Sequence, residues 1–234
     1  MSFRSASNQP PQATLSYEQG TYTDEDAAND PPVVGLVGEV HAVLMTIKSA
    51  ADLKLVRGDS HLIAAVSGPG MDIIHLSREI KEYCFSGRHL RSGPAPLESV
   101  IARLHWRGQR YIYQPHLRVY AEGMLIAGYD HTGPHLYHVE SSGTSWDLPV
   151  AAIGPSARPA WRYLGAHVAD ISTSSATELV EHGFLALREC LGPRLTLNDV
   201  AIGILGYNLE TKTDYGAVVL KGDQIHGLGT SHSF

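Results

Sequence analysis

Met124-Leu125-Ile126-Ala127-Gly128-Tyr129-Asp130, followed after two residues by Gly133-Pro134-His135-Leu136-Tyr137, carries more structural information than any other part of the chain. An apolar run of strand length meets a short polar turn, and a second run leaves it, which predicts two antiparallel strands. Pro134 fixes its own φ and has no backbone donor, so it belongs at the start of the second strand and not inside it. Downstream, Ala152-Ile153-Gly154 and then Ser156 to Leu164 read as a strand handing over to a helix.

Working outward in both directions extends the pattern. Val33 to Val37 and Ala42 to Ile47 are short apolar runs around Gly38-Glu39, a hairpin whose near-continuous apolarity predicts cover on both faces. Lys54 to Val56 and Leu62 to Val66 form the next pair, turning at Gly58-Asp59. Ile73, Leu76, Ile80, Tyr83 and Cys84 recur at helical spacing, as do Leu97, Val100, Ile101 and Leu104. After the central strands, Trp161, Leu164 and Val168 mark one helical stripe, and Leu179, Val180, Phe184, Leu187 and Leu191 a second. Ser175 and Glu178 have the spacing of a capping box, and Gly192-Pro193 ends that helix. The last strands are expected over Val200 to Tyr207 and roughly Tyr215 to Leu220. Strands, two helices, strands, two helices and strands pack most economically as an α+β, four-layer αββα sandwich.

Composition narrows the function. The 234 residues are 43% hydrophobic and 18% charged, which suits one packed domain. A net charge of −6 and no dense Lys/Arg stripe argue against nucleic acid as a partner, and no run has membrane-spanning length. Two cysteines, Cys84 and Cys190, are too few for a disulfide scaffold or a four-thiolate zinc site. The amino terminus lacks the apolar core of a secretory signal, so a cytoplasmic or nuclear home is expected. Residues 1–32, with Gln9-Pro10-Pro11-Gln12 and Asp30-Pro31-Pro32, read as a partly disordered tail, 33–222 as the domain and 223–234 as a second tail.

The succession LIAGYD…GPHLYHVESSGTSW…AAIGPSARPAWRYL from Leu125 to Leu164 resembles the alpha-type subunits of the proteasome core particle, and among them the alpha-6 branch most. VGLVGEVHAVLMTIK from Val34, HLIAAVSGPGMDIIHLSREIKEYC from His61 and ELVEHGFLALRECL from Glu178 extend the resemblance in order. It breaks at the amino terminus. Where the family has Ser-Pro-x-Gly-Arg leading into a helix, this chain reads Ser16-Tyr17-Glu18-Gln19-Gly20 and then Asp24-Glu25-Asp26-Ala27-Ala28.

The resemblance implies the same four layers, shared with amino-terminal-nucleophile hydrolases. It also implies a non-catalytic place in a heptameric alpha ring beside other alpha subunits, stacked on the beta subunits. Assembly, gating of substrate access and docking of the carboxyl-terminal tails of a regulatory particle or activator, all in ubiquitin-dependent degradation, would be its work. No cofactor is implied. Lys54 matches the family lysine that lines the pocket between neighbours and pairs with a tail carboxylate. An ammonium on a flexible stem suits that role, and Lys54 is expected to be solvated at a strand start.

Catalytic relatives use an amino-terminal Thr whose hydroxyl attacks and whose amine serves as base. In this register that position falls at Pro31 or Pro32, and the supporting Asp falls near Ile47, so no catalytic residue is expected. The alternative is a beta-type threonine peptidase processed at Gly20-Thr21 to expose Thr21, about ten residues too early for the first strand. A stand-alone binding protein that kept the fold but lost the ring is a third. Ser67 lies in no Gly-x-Ser-x-Gly elbow and is expected to cap the next helix, and no Gly-x-x-x-x-Gly-Lys phosphate loop occurs. Among His131, His135 and His138, the last two are three apart on a strand and face opposite ways, so no metal site is expected.

Overall fold

The computed structural model describes residues 30–114, 123–208, 213–214, 216–222 and 225. The opening stretch forms β5 (Met124–Asp130) and β6 (Gly133–Val139), paired antiparallel from Met124↔Val139 to Asp130↔Gly133. Gly133 closes the turn at φ 121°, a conformation that glycine adopts without steric cost.

The two-residue period of the strands sorts their side chains into separate cores. Leu125, Ala127 and Leu136 join a core between two sheets, whereas Met124, Ile126 and Val139 face helices. β3 (Leu55–Asp59), β4 (Leu62–Val66) and β7 (Ser145–Asp147) complete this sheet in the order β3-β4-β5-β6-β7.

The other sheet runs β10-β9-β2-β1-β8, built from β1 (Val33–Val37), β2 (His41–Ile47), β8 (Val150–Ile153), β9 (Val200–Asn208) and β10 (Thr213–Asp214). β11 (Val218–Lys221) also pairs with β9. All pairings are antiparallel.

The helices are α1 (Lys48–Lys54), α2 (Gly70–Arg91), α3 (Leu97–Tyr113), α4 (Arg158–Ala166), α5 (Val168–Ile171) and α6 (Ala176–Leu191). α2 and α3 bury Ile73, Leu76, Ile80, Leu97, Val100 and Leu104 against the outer face of the β3–β7 sheet. α4, α5 and α6 bury Ala160, Leu164, Ile171, Leu179 and Leu187 against Val34, Leu36, Val43 and Met45 of the other. Between the sheets lie Val33, Ala42, Leu44, Ile63, Ala65, Leu125, Leu136 and Ala201. The four layers are those expected, and each fully buried Val, Leu or Ile in them contributes about 1.5–3 kcal/mol relative to exposure.

Local chemistry supports the packing. At α6 the Ser175 side chain accepts from Glu178 N–H while Glu178 accepts from Ser175 N–H, completing the capping box. Gly128 lets α3 lie close to the sheet, since a Cβ there would meet Leu97 Cδ1 at 2.5 Å. α1 has no counterpart among the expected elements. It fills the link between β2 and β3, burying Ala51 and Lys54.

Candidate functional site

Four segments converge where β1 begins. Asp30, Pro31 and Pro32 arrive at the strand, Thr46 is near the end of β2, Lys54 is the last residue of α1, and Ser67-Gly68 follows β4. The Lys54 ammonium lies 2.5 Å from Asp30 Oδ1 and donates to Pro31 O at 2.6 Å. Asp30 Oδ2 accepts from Ser67 Oγ at 2.5 Å and from Gly68 N–H at 3.2 Å. Thr46 Oγ1 donates to Pro32 O at 3.0 Å. Gly154, at φ 108°, brings its backbone against the same point: a Cβ there would lie 3.2 Å from Pro32 Cα.

The expectation of a solvated Lys54 is corrected here, because the side chain is only 2% exposed. The cause is α1. Its inward face carries Ala51 and Lys54, which delivers the ammonium to the interior and not to a strand edge. Desolvating two ions costs several kcal/mol each, so such a pair persists only with good geometry and additional hydrogen bonds. Both are present. Ser67 is likewise corrected: α2 starts after Pro69 with no side-chain cap, and the Ser67 hydroxyl serves Asp30 instead.

This is the position at which the resemblance places a terminal nucleophile, and two prolines occupy it. Pro31 and Pro32 carry no hydroxyl or thiol, and their carbonyls are held by Lys54 and Thr46. Their nitrogens sit in tertiary peptide bonds and cannot act as base. Ile47 offers no carboxylate. Asp30, approaching from the other side, supplies the counterion to Lys54. Asp30, expected in the tail, packs on the domain instead; its signal in the sequence is an acidic residue directly before Pro31-Pro32 and a buried strand. Thr21 lies outside the described residues, as do Ser16 to Ala28.

The three histidines do not converge. His131 is exposed at the turn. His135 Nδ1 is 2.8 Å from Asp147 Oδ2 and its Nε2 is 2.6 Å from Thr132 Oγ1, a surface network tying the β5–β6 turn to β7. His138 is buried beside Trp146, with ring centroids 5.8 Å apart, and burial pushes its pKa down to about 4. Among the described residues no group of three or more His, Cys, Asp or Glu side chains is arranged to hold a metal ion. Among them, too, no helix is long and apolar enough to cross a membrane.

Residues 32–205 match the protein family described as Proteasome subunit. The chain is 30% identical over 216 residues to the probable proteasome subunit alpha type-6 of Schizosaccharomyces pombe, covering 87% of this chain and 79% of that protein. It is 31% identical over 197 residues to the proteasome subunit alpha type-1 of Trypanosoma brucei rhodesiense, covering 80% and 74%. With its Drosophila melanogaster counterpart it shares 29% over 207 residues, covering 84% and 74%. The chain belongs to the proteasome subunit family, and these relatives are of alpha type.

Proposed function

We infer that the chain is a non-catalytic, structural subunit of the alpha ring of the 20S proteasome core particle, working in protein degradation. The observation that carries this reading is the start of β1. In a family whose peptidases attack from that point, two prolines stand there with both carbonyls engaged and no nucleophile or base. The alpha-type relatives support the same reading over a beta-type peptidase.

The subunit assembles with other proteasome subunits. Residues 33–222 make the ring-forming domain between tails 1–32 and 223–234, with Asp30 to Pro32 packed on the domain. Its neighbours are alpha subunits in a heptameric ring and beta subunits beneath, it contributes to gating of substrate access in ubiquitin-dependent proteolysis, and it resides in the cytoplasm and nucleus. Lys54 provides the positive charge of a pocket for the carboxyl-terminal tail of a regulatory particle or activator. Its family-matching position and its ammonium already coordinated to a carboxylate support that role.

Native mass measurement of the tagged chain purified from its own host, with identification of its partners, tests the reading. A particle containing both alpha and beta proteasome subunits is expected. A chain that runs as a monomer would make it a stand-alone protein that kept only the fold.

A further inference from the structure

We propose that Asp30 is a built-in competitor for the ligand of Lys54, so that an incoming carboxylate binds by exchange with Asp30 and not by addition; this rests on the tail-pocket reading given above. A terminal carboxylate needs an ammonium and neutral donors around its two oxygens. That donor set exists here and is filled by this chain itself: Lys54 Nζ on Asp30 Oδ1, Ser67 Oγ and Gly68 N–H on Oδ2. With Lys54 2% and Asp30 8% exposed, a second carboxylate has no open path to the ammonium. Two carboxylates on one buried ammonium would repel each other strongly in a poorly solvated site.

The arrangement also defines what moves. Lys54 holds both Asp30 and the Pro31 carbonyl, whereas Thr46 holds the Pro32 carbonyl independently. Loss of the Lys54 contact therefore leaves Asp30 held by Ser67 and Gly68 alone and loosens the Pro31 carbonyl, while β1 keeps its anchor at Thr46. Docking of a tail is in this way coupled to the point where the preceding segment joins the domain. Asp30 thus sets the affinity of the pocket and links its occupancy to the chain leading into β1.

The test uses the full chain within purified particles and a hexa-alanine peptide bearing an amino-terminal photo-crosslinker, with either a free carboxyl terminus or a carboxamide. Peptide attached to this chain is quantified by mass, which separates its pocket from others in the particle. Asp30→Asn keeps the shape and can still accept from Ser67 and Gly68, but removes the charge. It is expected to lower the half-saturating concentration of the free-carboxylate peptide at least tenfold and leave the carboxamide unchanged. Ser67→Ala, which loosens Asp30 without altering charge, is expected to shift it in the same direction by less, and it decides the question alone should Asp30→Asn not assemble. If the carboxylate peptide is preferred in wild type but gains nothing from either substitution, exchange is wrong and the pocket reading stands. If carboxylate and carboxamide label alike in every protein, the pocket reading fails and the proposal with it.

Discussion

Lys54 and Asp30 meet at 2.5 Å in the interior, joining the last residue of α1 to the residue three before β1. Neither charge is exposed enough for solvent to replace the other. Lys54→Ala is therefore expected to destabilise the chain by about 3–5 kcal/mol, because it leaves Asp30 buried without its counterion. Replacing both, as Lys54→Ala with Asp30→Ala, should cost clearly less than the sum of the two single changes. Urea unfolding of the four proteins gives the coupling directly, and additive losses would show that the pair does not act as a unit.

His138 makes stability depend on pH. Burial holds its pKa near 4 in the fold, against about 6.5 in an unfolded chain. Between these values the unfolded state takes up a proton that the native state refuses, so stability falls as pH falls from about 6.5 towards 4. The loss approaches about 3 kcal/mol. His41, whose pKa burial also lowers, adds in the same direction. His138→Phe should flatten the slope in this window when denaturant midpoints are measured against pH; an unchanged slope would mean that His138 protonates freely in the fold.

Cys84 should be chemically silent. It lies on the buried face of α2, and burial, with a further push from the Asp59 carboxylate, raises its thiol pKa to about 11. Since the thiolate is the reactive form, iodoacetamide at pH 8 is expected to modify Cys84 only after unfolding in urea. Half-buried Cys190 should react before it. Equal labelling of both in the native protein, read by peptide mass, would contradict the burial of Cys84.

Ser175→Ala removes the acceptor that caps Glu178 N–H at the start of α6. A loss of about 1 kcal/mol is expected, as for other N-caps. Ser175→Asp, which can still accept, should restore most of it. A thermal shift comparison of the three proteins checks both statements.

The elements that could be read from sequence are those with a long local period. β5 and β6 are legible through the apolar run Met124 to Ala127, the polar turn and Pro134, and α2 through Ile73, Leu76, Ile80 and Cys84. The capping box at Ser175 was equally local. What escaped depended on partners far apart in the chain. α1 spans only seven residues, too short for a helical stripe to show. The fate of Lys54 depends on a carboxylate 24 positions earlier, and that of Ser67 on the same group, 37 positions away. A lysine beside a strand start is ordinarily solvated, and only the assembled layers reveal the buried counterion.

At the start of β1 this peptidase-type fold carries Pro31 and Pro32 in place of a nucleophile. The most direct test of the non-catalytic role is to treat the particle, purified from the native host, with an electrophilic threonine-directed probe and to weigh this chain intact. The expected result is a chain that retains Thr21 internally and carries no probe, in a particle whose catalytic subunits are labelled. A shortened chain beginning at Thr21 and bearing the probe would contradict it.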